Sequence, residues 1–356
     1  MARPETLGVH LDLSLLRGLE FRCRPDCGLC CFARPFVTPS ERLRLLQIAP
    51  ETAFVPGTDS GAYIPSRPKG GACVFLREKR CNVHSARPFP CREFPLSVYL
   101  GERIQATAIF SCPGVSFEAL AAWSPGKRIG EGPSGFDEEI TAARTELRTP
   151  TTQIRLRAAR ADVARVQGIL QRQGRWVPVE EARNRIRLRI RALFAAGFPV
   201  SIGTASESDL EACPLYFDEE LGVVALVSTA KDWLPVALRE GGGIQRRMGA
   251  FPLRRNPPRL DAAADTLAQS YLSYMLQRDI FVAAVIRSMN RSRGVDVECA
   301  LTKSLTALGA DVVSRAWLRA QIRDPSTSIL TERDVRDGIC ATDMDALDRP
   351  VVGAVL

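Results

Sequence analysis

The stretch Phe21 to Cys31 reads FRCRPDCGLCC and places Cys23, Cys27, Cys30 and Cys31 within nine residues. Four more cysteines follow at wider intervals: Cys73 in GGACVFL, Cys81 in RCNVH, Cys91 in ARPFPCREF and Cys112 in SCPG. Eight of the 11 cysteines therefore lie in the first third of the chain. A tight turn can present several thiols to one ion or cluster, because short loops close at little entropic cost. Folding then has to bring the later four to that turn. Cysteines used as small hydrophobes are expected to be scattered, not crowded in this way.

Dense cysteines also serve as disulfide frameworks, in small secreted domains with too little core to fold unaided. With 356 residues, 46% of them hydrophobic, this chain can bury a core without staples. Its opening, MARPETLGVHLDLSLLRGLEF, is interrupted by charge before any apolar stretch long enough for a signal peptide. The longest apolar runs, such as Ile280 to Ile286, fall far short of the roughly 20 residues that a spanning helix needs. The expectation is a cytoplasmic protein with reduced thiols and no membrane segment.

Thiolates are soft ligands that suit zinc, copper(I) and iron–sulfur clusters, whereas calcium and magnesium want oxygen. A structural zinc usually takes two short C-x2-4-C pairs from separate segments, but here one segment holds four cysteines and the others one each. Adjacent side chains on extended backbone point to opposite sides, so Cys30 and Cys31 are expected to serve different sites. The eight cysteines then make either two four-thiolate sites or one polynuclear site with spare thiols. Crowding favours a 4Fe-4S iron–sulfur cluster over zinc alone. Arg87 and Arg92 could neutralise clustered thiolates, and His84 could complete a coordination sphere or simply pack nearby. His10 is read as non-functional. The spacing Cys23-x3-Cys27-x2-Cys30 is also that of radical S-adenosylmethionine enzymes. Their loop follows a first barrel strand, however, and here a Pro-rich loop and one short helix come next.

In order, CGLCC, C-V-F-L, R-C-N-V-H, A-R-P-F-P-C-R-E-F-P and C-P-G resemble the CxxCxxCC cysteine-cluster family, often called YkgJ-type, whose members are described as zinc- or iron-chelating. The likeness spans about residues 18 to 115. It implies metal binding by Cys27, Cys30, Cys31, Cys73, Cys81 and Cys91, and by Cys112 from its CPG context. Cys23 stands one residue further from Cys27 than the family's usual first spacing. A more distant likeness, to the flagellin lysine methylases, implies a second function. That function is cluster-supported methyl transfer from S-adenosylmethionine to lysine on a protein substrate. No glycine-rich cofactor loop accompanies it.

The rest of the chain reads as mainly helical. A Gly/Pro-rich link runs from Trp123 to Glu139, and helical periodicity follows over TQIRLRAARADVARVQGILQ and PVEEARNRIRLRIRALF. Two short strands are expected around an acidic turn, beginning near Leu215 and resuming at Gly222. Gly241 to Gly243 read as a flexible turn. One long helix is expected from Ala262 through Arg291, with Leu267, Tyr271, Tyr274, Met275 and Phe281 as a buried stripe, and another over CALTKSLTALGADVVSRAWLRAQI. Cys213, Cys299 and Cys340 are taken as buried hydrophobes. Residues 121 to 200 hold 15 Arg and Lys against 8 Asp and Glu, but no nucleic-acid motif accompanies them, and a solvated or salt-bridged helix face is expected. A protein substrate or partner is compatible with that face. The fold class expected is α+β, mainly helical. A loop-rich metal-cluster domain occupies 1–120, a linker 121–138, and a helical domain with a small sheet 139–356.

Overall fold

The computed structural model describes residues 10–355 except 25–26, 33–34, 58–60, 70, 123–132, 196–212, 214, 219–221, 229–231, 253–258, 290–293, 325 and 347–353. Ten α-helices and several small sheets among the described residues make it a mainly helical α+β protein. The helices are α1 (Pro39–Ile48), α2 (Phe89–Glu93), α3 (Phe117–Ala121), α4 (Asp137–Leu147), α5 (Pro150–Arg172), α6 (Val179–Ala195), α7 (Ala262–Gln277), α8 (Asp279–Met289), α9 (Val297–Arg323) and α10 (Glu332–Ala346). Most start where side chains can satisfy their first N–H groups. Thr38 and Glu41 form a reciprocal capping box ahead of α1, with Pro39 at its first position. Thr149, Asp261 and Asp296 cap α5, α7 and α9. No described helix is long and apolar enough to cross a membrane.

A hairpin of Leu96–Leu100 and Ile104–Ala108 lies among these helices, and every residue of both strands is buried. Leu11–Asp12 pairs beside it in parallel, and Ala354–Val355 antiparallel, so both ends of the described chain join one sheet. One hydrophobic cluster runs from Leu11 through the hairpin into helices α3 to α10, with residues on both sides of the 121–138 stretch. Of that stretch, Trp123 to Gly132 lie outside the described residues. Ahead of the first strand comes α2 with Cys91, and Cys112 follows the second strand. Because Leu96 pairs with Ala108, both cysteines leave the same end of the hairpin.

The pattern from Ala262 to Arg291 is two helices, not one. Arg278 adopts an extended conformation (φ −72°, ψ 116°) between α7 and α8. Its guanidinium reaches the fully buried Asp343 at 2.7 Å, and the Asp279 N–H donates to Gln105 Oε1 at 2.7 Å. A buried charge pair overrides local helical continuity here. Tyr271 and Tyr274 are fully buried as expected, and each hydroxyl has a job. Tyr271 Oη donates to Asp343 Oδ1 (3.1 Å), and Tyr274 Oη accepts the Ala108 N–H (3.0 Å).

The second sheet is an antiparallel meander of Leu215–Asp218, Gly222–Ser228, Asp232–Leu238 and Ile244–Arg247, with Phe251–Pro252 as a fifth strand paired to Asp232–Leu238. The two expected strands are present, and a third and fourth extend them. Gly241–Gly243 form a docked turn between the third and fourth strands. Glu240 accepts N–H bonds from Ala72 (3.1 Å) and Lys79 (2.6 Å), and Gly243 donates to Lys69 O (2.8 Å). Gly242 has φ +96°, and a Cβ there would stand 1.9 Å from Pro68 O. Gly242→Ala therefore combines left-handed strain with a backbone clash. It is expected to lower stability by about 2–3 kcal/mol. Chemical denaturation measures this, and an unchanged midpoint would show that the turn does not dock.

Cys213 is buried against Val223 and Ala225, and Cys340 is half-buried on the main core. Cys299 corrects its expectation. It is exposed in the first turn of α9, where its N–H donates to Asp296 Oδ1 (2.7 Å).

Candidate metal centre

Cys30 and Cys31 sit in a 3₁₀ turn, Leu29–Phe32, and not on extended backbone. Gly28 makes the turn possible with φ +64°, and its carbonyl accepts the Cys31 N–H at 3.0 Å. Leu29 is 3% exposed and buries against Val223, Ala225 and Val236, which pins the turn to the second sheet. The tight backbone holds the two thiols near one another, and each shifts the other's pKa, with Cys31 lowering Cys30 and Cys30 raising Cys31. The opposed directions expected from extended geometry are not found.

Around Cys30 the other seven thiols gather: its charge pushes up the pKa of Cys23, Cys27, Cys31, Cys73, Cys81, Cys91 and Cys112 alike. Beyond that shared neighbour they divide. Cys112 feels Cys27 and Cys23, whereas Cys31 and Cys91 both feel Cys73 and Cys81. Backbone contacts make the same division. The Arg22 N–H donates to Gly114 O (2.9 Å), which lays Cys23 alongside Cys112, and the Cys73 N–H donates to Cys31 O (2.6 Å). Cys31 and Cys81 also pack on the small core that contains Cys73, Phe75 and Val83. Among the described residues no three His, Cys, Asp or Glu side chains stand close enough together to hold an ion. The eight thiols are neighbours, not a finished coordination sphere.

Four of them share a local feature: the sulfur accepts the backbone N–H two residues on. Leu29 N–H donates to Cys27 Sγ (3.4 Å) and Phe75 N–H to Cys73 Sγ (3.5 Å). Val83 and Gly114 do the same for Cys81 and Cys112. Such bonds favour the thiolate, which is the form that binds metal. Burial works the other way and raises all four thiols, Cys27 to about 11. Arg87 supplies the opposing charge, lowering Cys23, Cys30, Cys81 and Cys91. His84 is exposed on the 3₁₀ turn His84–Ala86, and its carbonyl accepts Arg87 Nε (3.2 Å). His10 is likewise exposed.

Cys30 alone is lowered, to about 7, chiefly by the hydrogen bond from Cys31 and further by Arg87. In metal-free protein Cys30 is expected to be the fastest of the eight to react with iodoacetamide, with a midpoint near neutral pH. Arg87→Gln should move that midpoint upward. Peptide mapping after brief alkylation across pH decides this, and uniform labelling of all eight would contradict it.

The residues present fit a thiolate-bound metal. The donor set is soft, a guanidinium faces it, and two buried polar atoms adjoining the cysteines in sequence lack partners among the described residues: Arg92 Nε after Cys91, and Ser111 Oγ before Cys112. Sequence reasoning missed two supporting groups. Arg67 donates to Val74 O (3.1 Å) and to Leu76 O (2.5 Å), bracing the loop that carries Cys73. Glu139 on α4 lies within electrostatic reach of Cys23 and Arg87. Neither has a local sequence signal, because both act across folded contacts.

Clustered thiols facing a guanidinium and N–H donors are soft donors of the kind that suit thiolate-bound metals. Residues 22–113 match the CxxCxxCC family model, described as "Putative zinc- or iron-chelating domain". The matched stretch takes in all eight cysteines from Cys23 to Cys112 and stops ahead of α3. No curated protein and no solved structure matches the chain, and the likeness to the flagellin methylases finds no support there.

Proposed function

We propose that this is a cytoplasmic metal-binding protein that holds metal in two four-thiolate sets. One set is Cys23, Cys27, Cys30 and Cys112; the other is Cys31, Cys73, Cys81 and Cys91. The observation that carries this reading is the division of seven thiols into two neighbourhoods around Cys30. Iron in 4Fe-4S clusters is favoured over zinc, because neither set is laid out as two short C-x2-4-C pairs: Cys31, Cys73, Cys81 and Cys91 come from four separate segments, and Cys23, Cys27 and Cys30 crowd one segment and are joined by the single Cys112. When bound, such a cluster supplies one-electron transfer or a structural cross-link. The chain's own part is to present thiolates, donate N–H bonds to Cys27, Cys73, Cys81 and Cys112, and set Arg87 against their summed charge. Hydrogen bonds and local charge of this kind tune a cluster's potential. Methyl transfer from S-adenosylmethionine, the alternative function, draws on no observation in the structure and is not adopted.

Anaerobic purification with metal analysis tests the reading. Two clusters should give a brown protein with broad absorption near roughly 400 nm that dithionite bleaches. A colourless preparation from an iron-replete host, with about two zinc ions per chain, would keep the two sets and replace iron by zinc. Protein without stoichiometric metal, its cysteines paired as disulfides, would end the proposal.

A further inference from the structure

Away from the thiols, a cavity of about 580 Å³ opens between α5, α6, α8 and the turn of the buried hairpin. That volume suits a small-molecule ligand. Its wall is apolar, formed by Val163, Trp176, Val179, Val282, Ala283 and Ile286. Tyr99 also lines it, and the ring of Tyr99 lies across Gly101, where a Cβ would stand 2.3 Å from it. The charged end consists of Arg103, Arg183, Asp279, Glu180 and Glu102.

The charges at that end are unevenly used. Arg183, 2% exposed, gives its donors to Leu276 O (2.9 Å), Gln277 O (3.4 Å), Glu180 Oε1 (2.5 Å) and Asp279 Oδ1 (2.7 Å). Arg103 grips Asp279 in a two-pronged bond (2.6 and 3.0 Å) and faces Asp12 at 3.5 Å. Both guanidiniums are therefore tied to the Asp279 carboxylate and hold the end rigid, with Arg103 keeping an exposed edge. What remains is acceptor capacity. Glu102 is exposed at the rim with no partner among the described residues, and Glu180 keeps one oxygen and a largely exposed side chain. An anionic head group would meet the exposed carboxylate of Glu102 and two guanidiniums already bonded to Asp279. An ammonium brings three donors to the spare carboxylate oxygens and is attracted to the aromatic faces of Trp176 and Tyr99.

We infer that this cavity binds a primary alkylammonium, its aliphatic chain against Val282, Ile286 and Trp176 and its head at Glu102 and Glu180. The inference is independent of the metal centre. The same chemistry could come from a free aliphatic amine or from the side chain of a lysine residue.

Ligand-observed NMR on the full-length, metal-loaded protein tests it, with n-hexylammonium, n-hexanol, hexanoate and Nα-acetyl-lysine methylamide as probes. Saturable binding of hexylammonium is expected, with hexanol weaker and hexanoate absent. Glu102→Gln should weaken hexylammonium about three- to fivefold. Glu102→Lys, on the same exposed turn, should abolish binding without changing the thermal midpoint. Tighter binding of the lysine derivative than of hexylammonium would assign the site to a protein lysine, and the reverse order to a free amine. Hexanoate saturating as tightly as hexylammonium, an unchanged affinity in Glu102→Lys, or no saturation up to about 10 mM would overturn the inference.

Discussion

Cys81→Ala is expected to lose about half of the bound metal, and Cys112→Ala the other half, with the remaining centre intact in each case. The reason is the pair of neighbourhoods: Cys81 lies with Cys31, Cys73 and Cys91, and Cys112 with Cys23 and Cys27. A single polynuclear centre predicts something different, the loss of all metal from either variant. Metal analysis of anaerobically purified variants separates the two outcomes. Each lost centre should also unfold its surroundings, since structural metals held by thiolates contribute on the order of 10 kcal/mol to loop-rich segments. Loss of hydrogen-exchange protection should be confined to about residues 20–93 and the stretch around Cys112 and Gly114. The hairpin Leu96–Leu100 and Ile104–Ala108 should stay protected, because it is buried among the helices of the main core, whose packing needs no metal. Unchanged protection around Cys73 in Cys81→Ala would rule out a structural role for that set.

How far the sequence led depended on the range of the interaction concerned. Local signals were legible. Apolar periodicity, with a proline and early acids ahead of α6, located α5, α6, α7 and α9, whereas the caps at Thr149, Asp261 and Asp296 are read from the structure. The crowded cysteines marked the site before any fold was known. Long-range effects were not legible. The buried hairpin has no alternating pattern because both faces of both strands are covered, so period-2 reasoning passes over it. In the same way α4 hides behind a Gly/Pro-rich approach. The break at Arg278 depends on Asp343, 65 residues later, and the docking of Gly242 on Pro68 depends on a carbonyl far upstream. The extended backbone from which Cys30 and Cys31 were expected to point apart is replaced by a 3₁₀ turn, so their place in different sets has to rest on their other neighbours. What divides the thiols is the set of partners each meets after folding.

The other large effect is expected at Asp343. Its carboxylate is fully buried and accepts three hydrogen bonds, from Arg278 Nη1 (2.7 Å), Tyr271 Oη (3.1 Å) and the Phe110 N–H (2.6 Å). Through these it ties α10 to the end of α7 and to the strand exit that leads, two residues later, to Cys112. Asp343→Ala strands a guanidinium that is 3% exposed, and an uncompensated buried charge costs about 3–5 kcal/mol. For a chain of this size the melting temperature should fall by about 4–7 °C. Removing the cation as well should restore much of the loss, because two missing charges leave less unsatisfied than one. The double variant Arg278→Met with Asp343→Ala is therefore expected to be more stable than Asp343→Ala alone. If the double variant is instead as unstable as the sum of its parts, the pair is not coupled, and the break between α7 and α8 has another cause. Metal content gives a second readout. The Phe110 anchor holds the approach to Cys112, so Asp343→Ala should lose metal from the Cys23, Cys27, Cys30 and Cys112 set before the other, and equal loss from both would sever that link between the helical core and the thiols.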